Sequence, residues 1–188
     1  HRGATTALDL FTGTARAAQE CSRLGGFVTC VDTAAYAEVL AQCYVVTDSG
    51  QVDADELAEA LARLAALPER RGYVTEVFCE RARYFHPDNG RRIDAIRAGI
   101  DDLYGDHPLR PVLLTALLEA ADRVDSTVGL QMAYLKEWAP RALRPLQLVA
   151  PKLTPGTGRA IRGDAVALAA ELGPVDLAYL DPPYNQHR

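Results

Sequence analysis

Long apolar runs are scarce in this sequence: stretches such as 111–118 and 146–150 are too short to span a bilayer, and no charged-then-apolar leader precedes a cleavage-like site. A soluble, cytoplasmic protein is therefore expected. Cysteine is sparse as well. Cys21, Cys30, Cys43 and Cys79 show no C-x-x-C spacing and no nearby histidine pair, which argues against a zinc site or a redox couple, so no metal is expected. There is one methionine, Met132, and no initiator. The first residues already run into a strand-like segment and the last follow an apolar run, so the sequence reads as the central portion of a longer chain. Basic excess is missing too: the formal net charge is -5. A nucleic-acid face would then have to come from clustering of charge, and the arginines do cluster, at Arg70/Arg71, Arg81/Arg83, Arg91/Arg92/Arg97, Arg141/Arg144 and Arg159/Arg162, while acids gather over 53–59.

What is present, at 188 residues and 48% apolar content, suffices for one substantial core with a large insertion. An apolar run over 6–11 leads into a Gly-containing loop, a helical stretch over 15–24 closed by Gly25-Gly26, and a β-branched run over 27–31 closed by Asp32. Strand, loop, helix, strand predicts a βαβ crossover in a parallel sheet. From 33 to about 146 the periodicity is helical, over 35–45, 53–66, 90–104, 108–124 and 127–139. No ordinary crossover needs that length. The α/β pattern resumes with a strand over 159–162, Gly163-Asp164-Ala165, a helix over 165–172, and a buried strand over 175–180 ending in Asp181-Pro182-Pro183-Tyr184. The expected organisation is a first part of an α/β domain over 1–35, a helical insertion over 36–150 and a second α/β part over 151–188.

The Asp181-Pro182-Pro183-Tyr184 turn carries the chemistry. The exocyclic amine of adenine or cytosine is a poor nucleophile because its lone pair is delocalised into the ring. The Asp181 carboxylate and the Pro182 carbonyl can each accept one amine hydrogen, favouring the pyramidal nitrogen that attacks a methyl sulfonium. Tandem prolines fix those acceptors, and Tyr184 can stack on a base flipped out of the duplex. The plain alternative is a Pro-Pro turn that merely ends a strand. The loop from Asp9 through Phe11 and Gly13 to Ala15 lets backbone approach an adenosyl ligand, or is a tight turn. Asp32 can accept both ribose hydroxyls and Asp164 an adenine amine, yet each is equally an Asp at a helix N-cap.

Taken in order, the Asp9-x-Phe11-x-Gly13 loop, the Asp32 strand end, the long helical insertion, Gly163-Asp164-Ala165 and Asp181-Pro182-Pro183-Tyr184 resemble the Dam-related class of adenine-specific DNA methyltransferases. The stretches 84–100, with Asn89-Gly90 and Ile93-Asp94-Ala95-Ile96-Arg97, and 121–146 resemble a bacterial and phage branch of it. The resemblance implies a Rossmann-like, S-adenosyl-L-methionine-dependent fold whose insertion reads the target. It implies that Asp9, Phe11, Gly13, Asp32 and Asp164 hold S-adenosyl-L-methionine and that Asp181, Pro182, Pro183 and Tyr184 form the amine pocket. The implied partner is double-stranded DNA, with a restriction endonuclease as cellular counterpart and no membrane. The sequence departs from the family pattern at Ala15, where a Gly is usual, and lacks both the family's N-terminal cofactor segment and the strands after Asp-Pro-Pro-Tyr.

Other features take plainer readings. Met132, Tyr134 and Trp138 suit core packing, and His86 a turn. Arg91, Arg92 and Arg97 suit either phosphate or guanine contact or a solvated helix face. His187 and Arg188 lie beside the flipped nucleotide or in a loose terminus. The alternatives to adenine methylation are an N(4)-cytosine DNA methyltransferase, an RNA or protein-glutamine methyltransferase, and a non-catalytic DNA-binding relic of the fold.

Overall fold

Alternating apolar positions over residues 6–9 and 27–32 can bury both faces of a sheet only if helices cover each side. In the computed structural model, which describes residues 3–127 and 137–183, they do. In chain order the elements are β1 (Thr6–Asp9), α1 (Arg16–Arg23), β2 (Phe27–Asp32), α2 (Ala35–Ala41), a π-helical turn (Gln42–Val46), α3 (Ala54–Ala65), a second π-helical segment (Val74–Glu80), α4 (Pro87–Tyr104), α5 (Arg110–Asp122), β3 (Gly158–Arg162), α6 (Ala165–Ala169) and β4 (Leu177–Tyr179). They fall into two compact units, residues 1–53 with 152–188, and residues 54–151.

The first unit is a parallel four-stranded sheet of order β3-β2-β1-β4. Ala7, Val28 and Cys30 on one face pack with Ala15 and Ala18 of the α1 end and with Ala41 and Val45. Leu8, Leu10 and Val31 on the other meet Ala165, Leu168 and Ile161. The chain steps outward from β1 through β2 to β3, then returns to the far side of β1 as β4. Strand order therefore reverses between β1 and β4, and the carboxyl ends of those two strands define the crevice where open α/β sheets bind ligands. Register brings Asp9 opposite Cys30 on one side and Tyr179 on the other. At Gly158 a Cβ would lie 2.5 Å from the Val28 carbonyl oxygen, so only glycine lets β3 start this close to β2.

The second unit buries Leu57, Ala60 and Leu64 of α3, Ile93, Ile96 and Ile100 of α4, and Val112, Leu113, Ala116 and Leu117 of α5. Two buried polar side chains tie segments of the unit together. The Asn89 amide donates to the Ala142 and Arg144 carbonyls (2.9 Å each) and its oxygen accepts the Leu146 amide at 3.0 Å, tying 142–146 to α4. The Asp125 carboxylate accepts from Arg141 and from Thr127 Oγ1 at 2.8 Å, fastening the segments on either side of residues 128–136.

Three differences from the sequence expectation have physical causes. The 36–53 stretch, expected in the insertion, stays with the sheet, because α2 and the π-helical turn supply Ala37, Ala41, Cys43 and Val45 to its core. β4, expected to be buried, pairs with β1 at the end of the sheet among the described residues, with Tyr179 and Leu180 44% and 60% exposed there. The π-helical segment at 74–80 had no sequence signal of its own. The expected helix over 127–139, with Met132 and Tyr134, lies mostly outside the described residues.

Candidate active site

Each strand of the sheet delivers its acid or turn at the carboxyl end, where successive loops must leave the core. The loop after β1 is stapled across two strands: the Thr12 amide donates to the Val31 carbonyl at 3.2 Å, and Thr12 Oγ1 donates to the Asp9 carbonyl at 3.0 Å. Gly13 follows with φ 51° and Ala15 with φ 59°, both left-handed. Glycine adopts that backbone freely, whereas an L-residue with a Cβ is strained by about 1–2 kcal/mol. Ala15 is fully buried at the N-cap of α1, so its methyl is held in the sheet core in spite of that strain.

Asp32 pins this loop. Its Oδ2 accepts the Gly13 amide at 2.9 Å and its Oδ1 the Ala34 amide at 2.8 Å. The Asp32 carbonyl in turn accepts the Gly163 amide at 2.9 Å, which seats the loop after β3 beside it. Asp164 serves as the N-cap of α6, its Oδ1 accepting the Val166 and Ala167 amides at 2.8 and 3.3 Å. The cap geometry expected for Asp in that position is thus present, with the residue exposed at the strand end.

Asp9 differs from the other acids. It is 3% exposed, and among the described residues neither carboxylate oxygen has a hydrogen bond of ordinary geometry. Burial pushes its pKa up from 3.8 to about 6. Amides of Phe11 and Ala18 face it closely enough to offset part of that effect, and the charges of Asp32 and Asp181 add to it. Burial with the neighbouring Asp9 also drives the Cys30 thiol to about 12, so it is no nucleophile. A buried carboxylate without a cation, flanked by two more acids, is an arrangement that a positively charged ligand would complete.

On the other side of the switch point, the Leu10 amide donates to the Tyr179 carbonyl at 3.3 Å, carrying the β1–β4 ladder to the edge of the crevice. Asp181, Pro182 and Pro183 follow two residues later and are solvent-exposed. The structure therefore brings Asp9, Phe11, Gly13, Asp32, Asp164 and the Asp181-Pro182-Pro183 turn to the carboxyl ends of one parallel sheet. Tyr184, His187 and Arg188 lie outside the described residues.

Sequence reasoning missed Asp176. Its Oδ2 accepts from the amides and hydroxyls of Thr5 and Thr6 at 2.9 to 3.0 Å, which holds its carboxyl down at about 2 and clamps the start of β4 to that of β1. No local pattern announces a contact across 170 positions.

In the helical unit, Arg91, Arg92 and Arg97 are occupied. Arg91 pairs with Glu69 at 2.7 Å and Asp88 at 2.6 Å, Arg97 with Asp101, and Arg92 caps the carbonyls of Ala65 and Leu67. His86 stands at the N-cap of α4, and Trp138 is half-buried against it, with the Arg83 guanidinium 5.9 Å over the indole. Among the described residues there is no cluster of His, Cys, Asp and Glu that could hold a metal ion, and no helix long and apolar enough to cross a membrane.

Comparison with known proteins gives this geometry a context. The D12 class N6 adenine-specific DNA methyltransferase family matches residues 1–188. The Type II methyltransferase M.NlaIII of Neisseria lactamica is 33% identical over 94% of this chain and 55% of its own length. The Type II methyltransferase M.CviAII of Paramecium bursaria Chlorella virus 1 is 35% identical over 62% of this chain and 37% of its own. The modification methylase LlaI of Lactococcus lactis subsp. lactis is 30% identical over 54% of this chain and 18% of its own. The chain thus spans about half, or less, of the length of these relatives. No solved structure matches it.

Proposed function

Because this chain belongs to the D12 class of N6 adenine-specific DNA methyltransferases, we propose that the whole protein transfers a methyl group from S-adenosyl-L-methionine to the exocyclic amine of adenine at a specific sequence in double-stranded DNA. The observation that carries this reading is the convergence of an unpaired buried carboxylate, Asp9, and the Asp181-Pro182-Pro183 turn at the switch point of one parallel sheet.

The residues divide the work as follows. Asp9 and Asp32 supply the negative charge for a ligand that is cationic at its sulfur and its amino group. Phe11 and the left-handed backbone at Gly13 shape the loop above it. Asp164 offers the carboxylate oxygen left outside its helix cap to the adenine amine of the cofactor. When bound, S-adenosyl-L-methionine supplies a methyl group made electrophilic by the sulfonium. On the DNA side, the Asp181 carboxylate and the Pro182 carbonyl accept the two hydrogens of the target amine and stabilise positive charge growing on nitrogen. Pro183 keeps the turn rigid, and Tyr184 stacks on the flipped base. The helical unit, residues 54–151, takes the role of target recognition. Since the relatives are named as type II and modification enzymes, an endonuclease cutting the same sequence is the natural counterpart.

The test is methyl transfer from labelled S-adenosyl-L-methionine to unmethylated DNA by the full-length protein, followed by digestion to nucleosides. Label in N6-methyladenine is the expected result. Label in N4-methylcytosine would replace the target base, and DNA binding without label would mark a non-catalytic relic.

A further inference from the structure

A carboxylate in the helical unit anchors one surface segment through its backbone. Asp94 of α4 is 9% exposed and accepts the amides of Gly72, Val74 and Thr75 at 2.9, 2.9 and 2.8 Å, together with Thr75 Oγ1 at 2.6 Å. Four hydrogen bonds to one carboxylate fix the 70–73 approach to the π-helical segment Val74–Glu80, a helix type that recurs at functional sites. On this anchored stretch Tyr73 is 69% exposed. Its ring meets Phe78 edge-on at 5.9 Å, Phe78 meets Tyr84 at 5.8 Å, and Tyr84 meets Phe85 at 4.9 Å, so the exposed ring is the outer end of an aromatic ladder running along the unit.

The charges around it are sorted. Arg71 binds Glu80 at 2.7 Å and Arg81 binds Glu76, so those two guanidinium groups are neutralised in place. Arg70 is exposed and uses only its backbone amide, on the Arg91 carbonyl at 3.3 Å; its guanidinium has no acidic or carbonyl partner among the described residues. An exposed ring on an anchored backbone, three residues from an uncommitted guanidinium, matches what duplex DNA presents where a nucleotide is flipped out of its stack: an open base face and backbone phosphates.

We propose that the 70–73 segment is a DNA-contacting element, in which Tyr73 stacks on a nucleotide and Arg70 pairs with a backbone phosphate. This rests on the reading that the protein acts on double-stranded DNA, and it assigns the contact to one of the clustered arginines and to Tyr73, which no sequence motif marked.

Duplex binding by the full-length protein, followed by fluorescence anisotropy across a salt series, tests it with Tyr73→Ala, Tyr73→Phe and Arg70→Ala. Loss of a stacking ring should weaken DNA binding by at least about five-fold in Tyr73→Ala, while Tyr73→Phe, which keeps the ring, stays within about two-fold of wild type. Arg70→Ala should flatten the slope of log affinity against log salt by about 0.9, the signature of one lost phosphate contact. Affinity for S-adenosyl-L-methionine without DNA, and the thermal midpoint, should not change, which separates a lost contact from a damaged fold. If the wild type binds DNA and all three variants bind it equally well with the same slope, the inference is overturned while the proposed function stands. A wild type with no affinity for DNA would overturn both. Weakened association of the variants with a protein partner, at unchanged DNA affinity, would reassign the surface to that partner.

Discussion

Replacing Asp9 with Asn isolates the electrostatic cost built into the site. The carboxyl titrates near 3.8 in an unfolded chain and near 6 in the folded one. The folded state thus holds its proton through a pH range in which the unfolded state has released it. Folding stability from this group is highest below about pH 4 and declines as pH rises through 6. Each pH unit of that gap is worth about 1.4 kcal/mol, so by pH 8 the ionised, 3% exposed carboxylate has lowered stability by roughly 3 kcal/mol relative to its protonated form. Asn has no proton to lose, and Asp9→Asn should lack this decline, although a buried amide without partners lowers its stability at every pH by about 1–3 kcal/mol. Chemical denaturation of both proteins at pH 4.5, 6 and 8, followed by far-UV circular dichroism, gives the wild-type-minus-variant difference, in which all other titrations cancel. That difference should fall by roughly 2 kcal/mol between the ends of the range, since about 1 kcal/mol of the effect is already lost by pH 4.5. Saturating S-adenosyl-L-methionine, by supplying a cation, should remove most of the fall in the wild type only. Parallel stability curves for the two proteins would refute the assignment of Asp9 as an unpaired buried carboxylate.

Further outcomes are expected elsewhere. Ala15→Gly exchanges relief of left-handed strain for loss of a buried methyl and should leave stability within about 1 kcal/mol, whereas Ala15→Val puts a β-branched side chain at φ 59° in a closed space and should lower it by more than about 2 kcal/mol, both by thermal unfolding. Asp94→Ala leaves the amide and hydroxyl of buried Thr75 unsatisfied and should destabilise the helical unit by roughly 2–4 kcal/mol, visible as lost protection of the Thr75 amide in hydrogen exchange. Asp176, held near 2 by Thr5 and Thr6, gives stability that is complete above about pH 4 and lost as pH falls towards 2. Amide exchange at Thr5 and Thr6 should accelerate over that acid range and, in Asp176→Ala, at neutral pH as well.

The legible part of this fold is the part written locally. Strand, loop, helix and strand over residues 6–32 follow from apolar period and from Gly25-Gly26, and β3, α6 and β4 from the same signals around Gly163 and Gly173-Pro174. The acids at strand ends were visible because a βαβ unit puts every such residue on one side of the sheet. Hidden from the sequence were features that depend on partners far along the chain. Asp94 and Asn89 stand in helical sequence like any polar residue, and only the fold shows that they clamp 72–75 and 142–146. For Arg91, Arg92 and Arg97 the sequence leaves open nucleic-acid contact or a solvated helix face, and only the fold shows that Glu69, the Leu67 carbonyl and Asp101 engage them within the unit.

The measurement that tests the account most directly is single-turnover methyl transfer by full-length Asp181→Ala, with cofactor and DNA affinities determined on the same preparation. Removing one aimed acceptor of transition-state charge should slow transfer to adenine by at least about a hundred-fold, while both affinities stay near those of the wild type. A variant that transfers methyl at close to the wild-type rate would contradict the assignment of this turn as the amine pocket.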